Sequence, residues 1–319
     1  MILIYTQNFD GKFKKISFEL VSYGSALAKM MGTEALALTI GKVEDSELQQ
    51  LSKYGANKIV LAETSSNIFD PQAYTNIVGQ IAEKNNIKGF IFANNNQGRV
   101  IAPRISARFK AGLVSAVAQL PESTTPLTIA KTLYTGKSFA KAQVKSEKFV
   151  LTLFQNAFGL QENNVNSQIE KINFEITSNI EIVEKKADTS GKVLLTDAEI
   201  VVSGGRGMKS PDNWSPIEKL AQILGAATAC SRPVSDEGWR PHSEHVGQTG
   251  KIIAPQIYFA LGISGAIQHV GGVSNSKCIV AINSDKDAPI FEVADYGIVG
   301  DVHKILPELI DEFQKAKQQ

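Results

Sequence analysis

The chain has 319 residues, with 33 Lys and Arg against 32 Asp and Glu, so its net charge is +1. This balance excludes a global field that would attract nucleic acid or an anionic membrane. A hydrophobic fraction of 43% with 20% charged residues is typical of a globular protein, and two cysteines exclude a disulfide framework and favour a reducing compartment. At about 150 residues per domain, the length indicates two domains.

No segment has the composition of a targeting peptide or a bilayer span. The N-terminal stretch from Met1 to Gln7 is apolar only briefly and has no basic start, so it predicts a first strand. The most apolar stretch, residues 252–273, is interrupted by Pro255 and Gln268, whereas a bilayer span needs about 20 largely apolar residues. With a mean hydropathy of -0.07, we expect a cytoplasmic protein of bacterial type without membrane insertion.

Strand-like and helix-like segments alternate through the first part of the chain. Apolar positions at three-to-four spacing predict a helix over Phe18–Met31, and Asp70 before Pro71 predicts a capped helix start. Alternation of this kind is typical of a parallel sheet covered on both faces. The predicted strands are 2–5, 34–40, 58–62 and 89–93, and the predicted helices are 18–31, 45–54, 71–84 and 99–110.

The pattern changes after residue 127. Strand candidates at Thr128–Tyr134, Ser138–Val144 and Phe149–Phe154 are separated by turn signals at Gly136 and at 146–147. They predict an antiparallel extension of the first domain. The polar segment Asn163–Ser178 predicts an edge strand with loops.

A charged, glycine-bearing segment, Glu184–Lys192, predicts the boundary between the two domains. Residues 1–187 are expected to form an N-terminal parallel-sheet, Rossmann-like α/β domain that carries the antiparallel extension. Residues 192–319 are expected to form a doubly wound α/β domain.

Residues suited to chemistry are concentrated in the second half. All four histidines, both cysteines and both tryptophans follow residue 200. Histidine is the side chain that most readily changes charge near neutral pH, and glycine permits close approach of the backbone to a ligand. The functional site is therefore expected in the second domain.

An apolar strand at 198–202 leads into Ser203-Gly-Gly-Arg-Gly-Met-Lys-Ser210, and a helix is predicted from about Asn213. Strand, glycine turn and helix are the elements of a phosphate cradle. The Gly205-Arg206-Gly207 turn fits half of the dinucleotide fingerprint, but Ser210 stands where a third glycine would be. A tight turn with a salt-bridged Arg206 is the equally open alternative.

Two further segments carry polar side chains suited to a ligand. Ser231 and Arg232 follow a strand of small residues, at the end of a strand where open α/β sheets bind ligands. Gln248 and Thr249, between two glycines and before Lys251, can hydrogen-bond a heterocycle edge. A surface arginine and a plain β-turn are the alternatives for the two segments. A Walker phosphate loop is rejected because its spacing and Lys-Ser/Thr ending are absent.

The strand predicted at 258–263 precedes Ser264-Gly265, and His269 follows about one helical turn later. Ser264 is predicted to cap a short helix, and His269 is either a ligand contact or a structural residue. Asn283 follows the next strand, and Asp301 precedes the terminal helix. Both suit a ribose or adenine edge, although Asp301 is equally suited to cap that helix.

Two other kinds of site are disfavoured. A zinc site from Cys230, His242, His245 and Cys278 would lack Cys-x-x-Cys and any familiar zinc-ligand spacing. A serine hydrolase is disfavoured because no Gly-x-Ser-x-Gly elbow is present. We expect no bound metal.

Taken together, these segments are more specific than any one of them. SGGRGMKS, SRP, VGQTGKIIAPQIYFALGISGAIQH, IVAINSD and APIFEVADYGIVGD occur in continuous order over Val201–Asp301, and they resemble the alpha subunit of electron transfer flavoproteins. A weaker resemblance extends to Pro103–Ala107 and Leu133–Gly136 in the first domain.

The resemblance implies a heterodimer in which the N-terminal domain pairs with a beta subunit and the C-terminal domain carries FAD. It implies AMP or a second FAD in the beta subunit. It also implies transfer of electrons from flavin dehydrogenases, such as the acyl-CoA dehydrogenases of fatty acid oxidation, to a quinone reductase or other acceptor. Such a protein is an electron carrier rather than a conventional enzyme, so no catalytic nucleophile or base is expected.

The resemblance also assigns roles to residues. Arg232, Thr249 and His269 would lie beside the isoalloxazine ring and tune its potential, because a fixed positive charge or a hydrogen-bond donor favours the negative charge gained on reduction. Ser264 to Ile267 would surround the pyrophosphate, and Asn283 and Asp301 would hold the adenosine. The implied FAD-binding set is Arg206, Ser231, Arg232, Gly247, Gln248, Thr249, Ser264, Gly265, Ala266, Ile267, Gln268, His269, Asn283 and Asp301.

Two other functions remain open from the residues alone. An NAD(P)-linked oxidoreductase would need an acidic residue about 20 positions after the glycine turn, whereas Asp236 lies about 30 positions on. A non-redox, nucleotide-binding regulatory subunit would bind nucleotide without colour. A yellow protein would favour FAD over both.

Overall fold

The computed structural model describes residues 1–65, 68–133, 138–176, 178, 180–184 and 193–318. The chain divides into two compact units, residues 1–186 and residues 187–319, called unit 1 and unit 2 below. The predicted boundary segment lies, from residue 185 to residue 192, outside the described residues, and so does the predicted turn at Gly136.

Unit 1 is built on strands and helices that alternate as predicted. Its strands are β1 (Ile2–Tyr5), β2 (Asn8–Phe9), β3 (Lys12–Phe13), β4 (Ala35–Ile40), β5 (Lys58–Thr64), β6 (Gly89–Ala93), β7 (Gly112–Val117), β8 (Ser123–Thr124), β9 (Leu127–Leu133), β10 (Ser138–Val144), β11 (Phe149–Leu153) and β12 (Gln168–Phe174). Its helices are α1 (Lys15–Met30), α2 (Asp45–Leu48), α3 (Pro71–Lys84) and α4 (Asn96–Phe109), with a 3-10 helix at Gln49–Tyr54.

Seven strands form one parallel sheet in the order β12-β5-β4-β1-β6-β11-β7. The central strands are continuous apolar runs, as in β4 and β6, because helices cover both faces. Helix α1 packs on one face, and α3 and α4 contribute to the core on the other. Asp70 caps α3 as predicted, accepting hydrogen bonds from the backbone N–H groups of Gln72 and Ala73.

The strand predicted at Phe149–Phe154 is confirmed, but its assignment to the antiparallel extension was wrong. The antiparallel extension consists of β8, β9 and β10, whereas β11 joins the main sheet between β6 and β7 and is parallel to both. All five residues of β11 are buried, which suits a strand covered on both faces. Gly89 on β6 leaves room for the Phe149 ring, because a Cβ at that position would collide with it.

Helix α4 begins at Asn96, three residues before the predicted start, and ends one residue before the predicted end. The helix ends at Phe109, and Lys110 then adopts a left-handed conformation with φ of 50°. Gly112 is the first residue of β7, a strand that the sequence pattern did not predict. Its alternating burial, with two buried positions in six, gives it a weak apolar pattern.

Unit 2 is a five-stranded parallel sheet. Its strands are β13 (Ile200–Gly204), β14 (Ala227–Cys230), β15 (Ile257–Leu261), β16 (Cys278–Asn283) and β17 (Tyr296–Val299). Its helices are α5 (Ser215–Leu224), α6 (Arg232–Asp236), α7 (Ile267–Val273) and α8 (Val302–Gln318). Short 3-10 helices lie at Arg206–Met208, Pro211–Trp214, His242–Glu244 and Pro289–Glu292.

The strand order in unit 2 is β14-β13-β15-β16-β17, with every neighbouring pair parallel. The chain goes from β13 to β14 on one side and then to β15 on the other side of β13. This reversal is a topological switch point, where open α/β sheets bind ligands. The architecture of both units confirms the predicted fold class. No helix in the described part of the chain has the length and apolar character needed to span a bilayer.

Candidate functional site

A cavity of about 430 Å³ lies at the switch point between β13 and β15. Segments that follow β13, β14 and β15 at their carboxyl ends all contribute to its walls. Parallel strands end at the same edge of a sheet, so residues that are far apart in sequence converge there. The cavity is lined by Gly205, Arg206, Gly207, Ser231, Arg232, Pro233, His245, Val246, Thr249, Gly262, Ile263, Ser264, Gly265, Ala266, Gln268, His269 and Asn283.

One wall depends on glycines that bring two backbone segments together. The Gly207 N–H donates to the Gly262 carbonyl over 3.0 Å. A Cβ at Gly207 would lie 2.6 Å from the Gly262 Cα, and one at Gly205 would collide with the Gly262 carbonyl. The glycines of the predicted phosphate turn are therefore required for the packing of the turn after β13 against the turn after β15.

The turn after β15 needs glycine for a second reason. Gly265 has φ of 84°, and a Cβ there would collide with the backbone of Ile290. The predicted cap was wrong, because α7 begins at Ile267 and its N-terminal flanking residue is Ala266. Ser264 instead offers its carbonyl to the Ile290 N–H over 3.0 Å. This contact holds the loop against the segment that follows β16.

His269 lies in the wall of the cavity and is 7% exposed. Its Nε2 atom is 2.7 Å from the hydroxyl of the buried Tyr258. Burial, together with the nearby His245 ring, lowers the His269 pKa to about 4, although the Val246 backbone opposes this shift. The imidazole is therefore neutral near pH 7.

His245 is a cavity-lining residue that the sequence analysis considered only as a zinc ligand. It is 2% exposed, and its Nδ1 atom has no hydrogen-bond partner among the described residues. Burial is the main cause of its lowered pKa, and the ring of His242 lies 5.3 Å away. An isolated β-bridge pairs His245 with Cys230 at the end of β14 and so places His245 at the site. No local sequence pattern predicts this pairing, because the two residues are not neighbours in sequence.

Arg232 lines the cavity and also forms an ion pair. Its Nε atom is 3.2 Å from Asp236 Oδ2, one turn further along α6. The two side chains are 60% and 55% exposed, so solvent screens the pair and its stabilisation is small. Arg232 therefore fits both alternatives, since it is an exposed arginine in an ion pair and also a residue of the cavity wall. Ser231 beside it is buried, and its N–H donates to the Gly204 carbonyl.

The segment from Val246 to Lys251 is a closed turn that also reaches the cavity. The Gly250 N–H donates to the Gly247 carbonyl over 3.1 Å, and the Gln248 N–H donates to the Gln268 carbonyl over 2.7 Å. Thr249 lines the cavity, whereas Gly247 and Gln248 are absent from its lining. The turn is thus tied by backbone hydrogen bonds to α7, the helix that carries His269.

The two residues assigned to adenosine occupy different positions. Asn283 lines the cavity, and its Nδ2 donates to the Ile263 carbonyl over 2.8 Å. Asp301 is outside the lining and caps α8 by accepting from the His303 N–H over 3.0 Å. This hydrogen bond is the main cause of its lowered pKa, and Lys209 lies 3.8 Å from the carboxylate.

Most of the residues assigned by resemblance meet in this one cavity. Four of them, Gly247, Gln248, Ile267 and Asp301, lie outside its lining. Several wall residues were not predicted, since they lack reactive groups or come into place only through folding. These are Pro233, His245, Val246, Gly262 and Ile263.

A cavity at a switch point, with two glycine turns as one wall and arginine and histidine as the others, defines a nucleotide-cofactor-binding α/β protein. Comparison with known proteins narrows this class. The family model described as an electron transfer flavoprotein domain matches residues 2–177, and the model described as an electron transfer flavoprotein FAD-binding domain matches residues 194–274.

Full-length relatives agree with both matches. The electron transfer flavoprotein subunit alpha of Bacillus subtilis (strain 168) is 34% identical, over 98% of this chain and 97% of that protein. The subunit alpha of Syntrophomonas wolfei is 36% identical over 98% of each chain, and that of Mycobacterium leprae is 35% identical over 99% of this chain and 98% of that protein.

The chain belongs to the electron transfer flavoprotein alpha-subunit family, as the resemblance predicted. Its role is electron transfer, and unit 2 contains the flavin-binding domain of the family. The family implies a beta-subunit partner and electron donors.

Proposed function

We propose that the chain is the FAD-carrying subunit of a heterodimeric electron carrier. It accepts electrons from flavin dehydrogenases, such as acyl-CoA dehydrogenases, and passes them to a quinone reductase or another acceptor. The observation that supports this most directly is the glycine-walled cavity of unit 2, most of which lies in the segment that matches the FAD-binding domain.

The residues of the cavity fit a flavin dinucleotide. Gly205, Gly207 and Gly265 let the turns of this wall pack closely, because any side chain there would collide with neighbouring protein backbone. We expect the wall that these turns form to hold the pyrophosphate. Arg206 and Arg232 supply permanent positive charge at the walls, which suits an anionic cofactor. The Nδ1 atoms of His245 and His269 have no partner in the described part of the chain, and they are buried polar groups of the kind that a bound cofactor satisfies.

FAD, when bound, supplies the one- and two-electron chemistry, and the protein supplies position and electrostatics. We assign the whole set inferred by resemblance to FAD binding, with Arg232, Thr249 and His269 at the redox-active ring. Arg232 contributes a charge that it cannot lose, whereas the neutral His269 contributes a hydrogen bond. Asn283 acts at the adenosine end by holding the Ile263 turn, with Asp301 near it.

We further propose that residues 192–319 form the FAD-binding domain and that residues 1–187 pair with a beta subunit carrying AMP or a second FAD. The beta subunit would complete the site by covering the open side of the cavity. Both cysteines are free, which suits a reducing compartment, and we place the carrier in the cytoplasm.

Co-expression with the beta subunit tests this proposal. We expect a yellow complex whose visible spectrum is that of a flavin, and release of FAD and an adenine nucleotide on denaturation. A colourless complex that binds NADH or AMP alone would favour the oxidoreductase or regulatory alternative. The Gly265→Ala variant of the complex serves as the negative control, since the added methyl group collides with the Ile290 backbone.

A further inference from the structure

A buried polar chain of Ser203, Tyr258 and His269 lies under the cavity, and the flavin-binding assignment does not account for its first two members. We propose that Tyr258 is a positioning residue that holds His269 with its proton on Nδ1, so that the ring presents an N–H donor to the cofactor. This inference rests on the proposed function for the identity of the cofactor, but the protonation state of the ring can be measured without it.

The geometry of the pair is specific. The Tyr258 hydroxyl and His269 Nε2 are 2.7 Å apart, within the range of a strong hydrogen bond. Tyr258 is fully buried at the second position of β15, so its hydroxyl has no access to water. Because a buried hydroxyl without a partner costs about 1–3 kcal/mol, this contact fixes the orientation of the imidazole ring.

Both members of the pair are neutral near pH 7. Burial raises the pKa of the Tyr258 phenol far above neutrality, so the phenol keeps its proton. The His269 pKa is lowered to about 4, so the ring carries one proton. Only two arrangements are then possible: the phenol donates to Nε2 with the ring proton on Nδ1, or Nε2–H donates to the phenol oxygen.

The Val246 backbone favours the first arrangement. It favours the protonated ring of His269, which is the effect of a carbonyl acceptor beside a ring N–H. Since Nε2 is engaged with Tyr258, the nitrogen that faces this acceptor is Nδ1. A proton on Nδ1 is then attracted to the carbonyl, whereas a bare Nδ1 would place two lone pairs against each other.

Ser203 supports the same direction. Its hydroxyl is buried and has no regular hydrogen-bond partner among the described residues, yet it lowers the Tyr258 pKa as a donor to the phenol oxygen would. A Ser203 hydroxyl that donates to the Tyr258 oxygen would leave the phenol proton for Nε2. The chain therefore runs from Ser203 through Tyr258 to His269 and ends in Nδ1–H.

Nδ1 has no hydrogen bond of regular geometry among the described residues, although the Val246 carbonyl is near it. Its N–H can therefore donate a hydrogen bond to a group bound in the cavity that His269 lines. A carbonyl oxygen of a bound heterocycle is an acceptor of the required kind. Without Tyr258, the ring would lose both its fixed orientation and its preferred tautomer.

The test uses the full chain with 15N-labelled histidine, first without added flavin. Long-range proton–nitrogen correlation spectra distinguish the two tautomers, and His269→Asn identifies the signals of His269 among the four histidines. We expect the Nδ1–H tautomer to dominate at pH 7 in the unmodified chain and to become the minor form in Tyr258→Phe. Tyr23→Phe is the matched control, because it removes another buried phenol hydroxyl, bonded to the Gln119 carbonyl in unit 1.

An Nε2–H tautomer in the unmodified chain overturns the proposal even if Tyr258→Phe does not fold. An unchanged tautomer in a folded Tyr258→Phe chain overturns it as well. The second arm is titration of each flavin-free chain with FAD, where Tyr258→Phe should raise the dissociation constant about 2- to 10-fold and Tyr23→Phe should leave it unchanged. Equal affinities of Tyr258→Phe and the unmodified chain would remove the positioning role.

The two arms separate this inference from the proposed function. If the unmodified chain and its complex with the beta subunit bind no FAD, the proposed function fails whatever the tautomer. If FAD binds but the tautomer does not depend on Tyr258, only the positioning role fails.

Discussion

The two units share a parallel α/β architecture, and each has a cavity at the carboxyl ends of its strands. In unit 1 the chain reverses between β1 and β6, and a cavity of about 590 Å³ is lined mainly by the segments that follow β1 and β4. In unit 2 the corresponding cavity is smaller, about 430 Å³. Volume therefore does not distinguish the unit that contains the flavin-binding domain.

The difference lies in what the side chains at each cavity do. In unit 1, the Tyr5 hydroxyl donates to Gln97 over 3.0 Å, and Asn8 donates to the Ile40 carbonyl over 2.8 Å. In unit 2, the buried Nδ1 atoms of His245 and His269 have no partner among the described residues. The comparison teaches that the loops, rather than the shared sheet, carry the function.

The two units can be followed separately because both tryptophans, Trp214 and Trp239, are in unit 2. Tryptophan fluorescence therefore reports unfolding of unit 2, whereas circular dichroism reports both units.

We expect Glu19→Ala to unfold unit 1 selectively. The buried carboxylate accepts the backbone N–H groups of Asn156, Phe158 and Gly159 at 2.8–2.9 Å. Leaving one buried and two partly buried backbone donors without this acceptor should cost about 3 kcal/mol or more. The midpoint of denaturation by circular dichroism should fall while the tryptophan transition and FAD affinity persist; the exposed Glu162→Ala is the control. Loss of FAD binding would mean that the units do not act independently.

Acid should destabilise unit 2 before unit 1. The His269 pKa is about 4 in the folded chain against 6.5 in the unfolded chain. The neutral His269 therefore contributes fully to the free energy of unfolding above pH 6.5. As the pH falls towards 4, about 3 kcal/mol of this free energy is lost, because the unfolded chain binds the proton more readily. In unit 1 the hydrogen bond from Ser178 is the main cause of the lowered Asp70 pKa. That contribution is present above the unfolded carboxyl pKa near 4 and is lost only at lower pH.

Denaturant titrations between pH 7 and pH 4.5, read by tryptophan fluorescence, measure the effect in unit 2. The His269→Gln variant should lose less stability over this range than the unmodified chain does. His303→Gln removes another histidine of the same unit and is the control. Parallel pH dependences for His269→Gln and the unmodified chain would contradict the assignment of acid sensitivity to His269.

We expect Gly265→Ala to abolish FAD retention and to destabilise unit 2 by about 2–4 kcal/mol. Part of the effect is the left-handed conformation, and part is the collision with the Ile290 backbone. Gly225 also has a left-handed φ of 63°, but a Cβ there meets nothing within 4 Å. Gly225→Ala therefore measures the destabilisation that comes from the left-handed conformation alone. If the two variants lose stability and FAD affinity equally, the close approach of Gly265 to the Ile290 backbone is not required for FAD binding.

The smallest expected effect concerns charge at the cavity wall. Arg232→Ala should lower the first reduction potential of bound flavin by about 40 mV, equivalent to about 1 kcal/mol, because a screened positive charge is lost. His269→Asn should lower it less, since a neutral donor is retained. Asp236→Asn should raise it, because Asp236 no longer neutralises Arg232. Spectroelectrochemistry of the flavin-loaded complexes decides, and a potential unchanged by Arg232→Ala would remove this residue from the redox site.

The alternation of strands and helices, the capped start of α3 and the edge strand β12 could all be predicted from the sequence, because they depend on nearby residues. The glycine turns after β13 and β15 could be recognised as well, since glycine is required where backbones meet. The position of β11 could not be predicted. Its pairing with β6 and β7 depends on residues 36 or more positions away, and nothing in Phe149–Leu153 itself distinguishes a central parallel strand from part of an antiparallel extension.

At the site, the family could be recognised from the residues alone, because the motifs from Ser203 to Asp301 occur in a fixed order along the chain. Three features became visible only in the folded chain: His245 enters the cavity, Asp301 is a helix cap outside its lining, and Tyr258 contacts His269. The reason is physical. A motif is a local property of the chain, whereas burial, hydrogen-bond partners and the pKa of a histidine are set by groups that only folding brings together.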